Sequence, residues 1–481
     1  MGILEKTFRL SENGTSVRTE VLAGLTTFLT MAYIIVLQPM VLSGRMFGFE
    51  TGMDFGAVMT ATCLSASLAT LIMALYARYP IAQAPGMGEN FFFVLSVLPG
   101  IAAAGFSNAW QVGLGVVFIS GVLFLLLSLA GVREMIVNAV SPSMKNAMAV
   151  GIGLFIAFIG LQNAGLIVSA ASIVTTPEGP VLSPGTLVRL NTRAAFIDVA
   201  VFFTGLLVTA VLHVRRVRGS ILLGILATTA LSAALKLISS AFPWSLLAGS
   251  RLAAEFRFAD GVFSMPPSVS PTFFRMDIEG ALSLSLIPFI VIFLFMDLFD
   301  TIGTLIGVSE QAGFIKDNKL PRAREAMLSD AIGTVSGAVL GTSTVTSFIE
   351  SAAGVEQGGR TGLTGVTVSL LFVAALFFSP VVVMMSSYAV ITAPALVVVG
   401  AMMMKNVSRI EWSDYSEAVP AFLMIIGIPL SFSIADGLTL GFVTYPFIKL
   451  LSGKGRQVGP FMYALAVVLA LYLVFIRSAT G

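Results

Sequence analysis

Twelve stretches of this chain are apolar for long enough, or nearly so, to cross a lipid bilayer, which takes about 20 residues of helix. They fall at about 21–38, 55–76, 109–130, 145–163, 195–213, 219–240, 284–306, 325–341, 361–380, 385–404, 418–432 and 434–452. Hydrocarbon offers the backbone no water to bond, so such stretches must fold as membrane-spanning helices. Composition leads the same way: hydrophobic residues are 57% of the 481 and charged residues 11%, where soluble chains carry roughly 25% charge. A net charge of +2, with Lys and Arg dispersed, leaves no footprint for nucleic acid. Cys63 and His213 are the single cysteine and histidine, which excludes an intrachain disulfide framework and most zinc or haem chemistry. No cofactor is expected. His213 adjoins Arg215, Arg216 and Arg218 and reads as an interface residue. The first twenty residues are polar and mixed in charge, which predicts a cytoplasmic lead-in and no cleavable signal peptide.

Two further segments, 85–98 and 343–357, are short or polar and thick with Gly, Pro, Ser and Thr. Counting them gives fourteen spans. With the N-terminus inside, nineteen of the 27 Lys and Arg, among them Arg133, Lys316 and Lys319, fall on the cytoplasmic side. Six fall outside, although the outer loops 164–194 and 241–280 are the longest, and Lys236 and Arg477 stay unassigned. Dropping either odd segment would strand later basic clusters on the wrong side, so the positive-inside rule supports both as crossings. A last apolar stretch, 460–477, is either an in-plane helix or a fifteenth span.

The two odd segments are the third and tenth, each third within a seven-span half. Interrupted spans at matching positions of two halves are the mark of inverted repeats with a midplane substrate site. The first reads APGMGENFFF over 84–93, the second GTSTVTSFIES over 341–351. In both, a stretch unfavourable to helix runs into a polar residue beside an aromatic, leaving backbone N–H groups free for a ligand.

Carboxylates inside spans are costly and mark function. Asp297 and Asp300 share one face of the eighth span at i,i+3 spacing, Glu350 sits in the tenth segment, and Glu89 and Asn90 in the third. Two readings stand: they satisfy backbone N–H groups around the breaks, or they bond a polar solute and exchange a proton, because burial favours the neutral acid. Asp330, Glu356 and Asp436 lie near predicted span ends and read as solvated or capping residues.

At these residues the chain resembles the AzgA-like purine permeases, a branch of the nucleobase:cation symporter class. The resemblance runs through EVLAGLTTFLTMAYIIVLQP, APGMG, FMDLFDTIGTLIGV, LGTSTVTSFIESAAGVEQGGRTGLTGV, ITAPALVVVGAMMM and IPLSFSIADGLTLGFVTYPFIKLLSG. It implies an all-α polytopic fold of two inverted seven-span repeats, with a short strand and a half helix in spans 3 and 10 and the base between them. It also implies a core domain of spans 1–4 and 8–11 (21–130 and 284–380) and a gate domain of spans 5–7 and 12–14 (145–240 and 385–452). Carried over residue by residue, the family's binding positions fall on Asn90, Asp297, Asp300 and Glu350. Glu89 departs from the family, which has a small or apolar residue there; it either enters proton coupling or turns to the gate domain and is satisfied by backbone.

These residues predict proton-coupled purine uptake through the cell membrane by an elevator movement, and no enzyme activity. An ionised carboxylate only accepts hydrogen bonds, so Glu350 suits the N1–H edge of guanine or hypoxanthine. Asp297 would hold the opposite edge of the ring and Asn90 a remaining acceptor, with Asp300 as proton partner and Phe91 and Phe348 as stacking surfaces. The partners expected are a purine base, protons and lipid, and a homodimer is left open. An intramembrane aspartyl protease needs its two aspartates on different helices, which Asp297 and Asp300 are not. An anion transporter or channel on the same architecture is the alternative, against which the carboxylates repel anions.

Overall fold

The computed structural model describes residues 3–130, 140–169, 172–176, 179–183, 188–241, 249–315, 320–471 and 473–474. Arg133, Lys316, Lys319 and Arg477 lie outside them. Ten helices among the described residues are long and apolar enough to cross a bilayer: spans 1 (Val17–Leu42), 2 (Phe55–Ala77), 4 (Ala109–Ala130), 5 (Pro142–Asn163), 6 (Phe196–Val214), 7 (Ser220–Ser239), 8 (Leu284–Ser309), 11 (Gly362–Ser386), 12 (Ala389–Arg409) and 14 (Ile434–Leu451). Span 9 (Ala323–Leu340) carries Arg324, Glu325 and Asp330, and span 13 (Tyr415–Ser431) is 17 residues long, so both are weaker signals. Spans 3 and 10 are not continuous helices, and with them the crossings number fourteen, in two inverted sets of seven.

Several spans start where a polar side chain takes up an orphan N–H of the first turn. Asp54 does this for span 2, Ser141 for span 5, Thr361 for span 11 and Ser433 for span 14. Packing sorts the spans into two groups: 1, 2, 4, 8, 9 and 11 surround the two broken segments, and 5, 6, 7, 12, 13 and 14 pack on one another. With no hydrophobic drive between helices in lipid, small residues bring them together. Span 11 crosses span 2 so closely that a Cβ on Gly362 would lie 1.8 Å from the Ala74 carbonyl oxygen. Backbone cannot move aside as a side chain tip does. Gly362→Ala should therefore cost at least the upper end of the ~1–3 kcal/mol typical of overpacking, read as a lower melting midpoint in detergent. An unchanged midpoint would mean that span 11 rides freely on span 2.

Two details differ from the sequence reading. The connection 164–194 carries antiparallel strand pairs, Ile167–Ser169 with Val188–Leu190 and Ser172–Thr176 with Gly179–Ser183, where only a loop was expected; β-branched SIVTT was the available signal. In the last apolar stretch the described helix is Pro460–Leu471, 12 residues. At 1.5 Å per residue that is about 18 Å, short of the ~30 Å hydrocarbon core.

Candidate functional site

Proline fixes the geometry of span 3. Pro85 offers no N–H and biases Ala84 to extended backbone, so the segment forms the strand Gln83–Pro85 before the helix Met87–Phe92 begins. In span 10 the β-branched run forms the strand Val345–Ser347, followed by the helix Ser351–Glu356. The strands pair antiparallel, Gln83 opposite Ser347, Ala84 opposite Thr346 and Pro85 opposite Val345. The Phe348 N–H to Ala82 oxygen bond (2.9 Å) and the Gly86 N–H to Thr344 oxygen bond (3.1 Å) extend the pairing. Pairing satisfies backbone that hydrocarbon cannot, and it brings the starts of two half helices from opposite repeats together.

A carboxylate stands at each start. Glu350 is the residue before the Ser351–Glu356 helix, and its Oε1 accepts from the Tyr33 hydroxyl at 2.8 Å. Glu89 is the third residue of the Met87 helix and its side chain folds back on Gly86, where a Cβ would lie 2.2 Å from its Oε2. Glu89 lies on its own backbone N–H, with Asp300 and Asp330 in its neighbourhood.

Asp300 is exposed, and the same face of span 8 continues with exposed Gly303 and Ile306. A Cβ on Gly303 would meet nothing within 4 Å. Exposed Ile349 and half-buried Glu350 stand nearby, and together these residues form an open surface, the cleft, at the end of span 8. Among the described residues no ion pair reaches Glu89, Asp297, Asp300, Asp330 or Glu350.

The other expected site residues lie behind the cleft wall. Asp297 is fully buried, its Oδ2 accepting from the Thr334 hydroxyl at 2.8 Å. Asn90 is fully buried too and exchanges amide hydrogen bonds with Gln38 of span 1, while the Ser343 hydroxyl donates to its Oδ1. In this state its amide braces spans 1, 3 and 10. Phe91 has no exposed surface for a base, being packed edge-on between Phe47 (5.8 Å) and Phe155 (6.3 Å). Phe348 is buried directly after the second strand.

Asp330 requires a correction. Read as a residue near a span end, it is fully buried two turns into span 9, with its Oδ1 accepting from Gln83 Nε2 (2.9 Å) and Ser347 Oγ (3.1 Å). The helix starts at Ala323, which carries Asp330 to the strand pair. The cost of buried charge that selected Asp297 applied equally here. Gln38, Gln83 and Tyr33 were also passed over; each is a polar side chain in or beside an apolar run.

The family profile described as "Permease family", that of the xanthine/uracil permeases, matches residues 18–440. The chain belongs to this permease family. Among its relatives, guanine/hypoxanthine permease PbuG of Bacillus subtilis is 41% identical over 98% of this chain and 99% of that one. Adenine permease AdeP of Escherichia coli is 38% identical over 99% and 97%. The transmembrane domain of the cyanobacterial bicarbonate transporter BicA has the same fold, with a TM-score of 0.58 at 13% identity over 88% of this chain and 97% of that one. The AzgA-like resemblance of the motifs holds over the full permease, and the chain is a transporter, not an enzyme.

A second opening of the permease contains none of these carboxylates. It is a vestibule of about 960 Å³ between the two span groups, lined by Arg45, Phe47 and Phe49 on one side and Arg251, Arg257 and Phe432 on the other. The row Phe47, Phe91, Phe155 and Phe432, the last pair 5.2 Å apart, links its two sides.

Proposed function

We propose that this permease takes up purine nucleobases, guanine and hypoxanthine foremost, together with a proton, by moving a core domain of spans 1–4 and 8–11 against a gate domain of spans 5–7 and 12–14. The observation that carries the reading is the pair of acceptor groups, Asp300 and Glu350, on one open surface where, among the described residues, no cation bonds them. Glu350 accepts the N1–H of an oxopurine and the 2-amino group of guanine. Asp300 is the carboxyl that the entering base meets on its imidazole edge, with Asp297 one turn deeper. Identity to an adenine permease is nearly as high as to a guanine/hypoxanthine permease, so the preference for oxopurines rests on acceptor chemistry and not on kinship.

Carrying several ionised carboxylates through the membrane interior costs several kcal/mol; a proton taken with the base removes part of that cost. With the 312–322 side cytoplasmic, as its basic residues argue, the cleft faces the cell interior. Likeness to a bicarbonate transporter extends to the fold. An anion would need the half-helix starts that Glu89 and Glu350 already occupy with negative charge.

The test is uptake of labelled hypoxanthine by cells stripped of their own purine permeases. Excess guanine should suppress it, bicarbonate and sulfate should not, and a protonophore should stop accumulation. Competition by bicarbonate without competition by guanine would overturn the purine reading.

A further inference from the structure

Two fully buried carboxyl groups face one another at the strand pair, and only one has a place in the function proposed above. Asp297 of span 8 bonds Thr334, one turn along span 9 from Asp330, so the two carboxyl groups are neighbours. Each holds one oxygen well: Asp297 Oδ2 accepts from Thr334, and Asp330 Oδ1 from Gln83 and Ser347. Each leaves the other oxygen, Asp297 Oδ1 and Asp330 Oδ2, without a donor. Ionised carboxylates have no hydrogen to offer, and two in contact cannot both stay charged. A single proton between them supplies the one donor that both orphan oxygens lack.

The pair is also connected to the cleft. The Thr301 hydroxyl is a close neighbour of Asp330 without bonding it in this arrangement. Thr301 Oγ1 lies 2.8 Å from Thr346 Oγ1, and Thr346 neighbours the carboxyl of Asp300. Both hydroxyls are buried while Asp300 is exposed. A hydroxyl both donates and accepts, so rotation of these two side chains lets the row pass a proton.

We propose that Asp297 and Asp330 hold the coupled proton as one shared-proton pair, and that Thr346 and Thr301 relay it from Asp300. The inference rests on the proton-coupled reading above. A proton taken from cleft water by Asp300 is given to Thr346 Oγ1; Thr346 gives its own hydrogen to Thr301, and Thr301 gives its own to Asp330. One proton is transferred and each hydroxyl is restored. The other ionisable groups facing the pair are Glu89, from the Met87 helix, and Asp300 itself. Glu350, paired with Tyr33, faces Asp300 from the far side. All are acids, so protonating the pair relieves repulsion throughout the cluster.

The experiment uses the full chain in liposomes carrying an internal pH dye, with hypoxanthine as probe. Wild type should admit protons when hypoxanthine enters and accumulate it down an imposed pH gradient. In Asp330→Asn the amide donates to Asp297 in place of the shared proton, so the pair stays bonded but no longer titrates. Accumulation and proton entry should both be lost while hypoxanthine–hypoxanthine exchange persists, and Asp330→Glu should restore part of the coupling. Thr301→Val removes the relay hydroxyl at nearly constant shape and should slow proton entry more than exchange. Full proton entry in both Asp330→Asn and Thr301→Val would overturn the inference, as would Asp330→Asn losing exchange and accumulation together with Thr301→Val unaffected. Hypoxanthine entry without protons in wild type would instead overturn the proton-coupled reading itself.

Discussion

Guanine binding falls about 10- to 150-fold in Glu350→Gln, while adenine loses less or gains. The Tyr33 hydroxyl donates to Glu350 Oε1, and the same donor orients the new amide with its oxygen toward Tyr33 and its NH₂ toward the cleft. Guanine then presents N1–H and 2-amino donors to a donor. Losing a hydrogen bond to a charged group costs roughly 1.5–3 kcal/mol, which sets the range above. Adenine has an acceptor at N1 and meets the amide favourably. Calorimetric titration of the purified variant with both bases measures the shift. Guanine affinity within about twofold of the parent, with no relative change toward adenine, would give the Watson–Crick edge to another residue, and Glu89 is next in line.

Steady-state accumulation disappears in Asp297→Asn. Coupling to one proton can drive about tenfold accumulation per pH unit, since one unit is worth about 1.4 kcal/mol. A buried amide holds no titrating proton, so the inside-to-outside ratio of hypoxanthine should fall to about one whatever gradient is imposed. Asp300→Asn should do less: Asp300 is exposed, water can partly replace it as proton donor, and the dependence on the gradient should weaken without vanishing. Undiminished proton-driven uptake in both variants would remove span 8 from the mechanism.

The spans were legible because a continuous helix through lipid must be apolar for about 20 residues, and only helices answer that demand in this chain. The interruptions were legible through Pro85 and the Thr-rich run at 342–346, residue types that a helix interior rejects. That each interruption holds a short strand came from the family resemblance; that the two strands pair was not legible, since periodicity over three residues carries no such information. Contacts between spans were not legible. Asp330 and Asp297 meet across two helices, and the Asn90–Gln38 amide pair joins residues of spans 3 and 1. Nothing local in either sequence marks the other. Asn90 illustrates the limit well: its position beside the broken segment was readable, but not that its amide is spent on a neighbour.

The strand pair has a consequence for biosynthesis. Its two partners, Gln83–Pro85 and Val345–Ser347, are separated by about 260 residues, so the ribosome delivers the first strand long before the second exists. Until span 10 enters the bilayer, the Gln83–Pro85 backbone is an open edge in a medium without water, and the Met87 helix has nothing to anchor its start. The first repeat therefore waits in the membrane half finished, and the candidate site comes into being only when the second repeat docks.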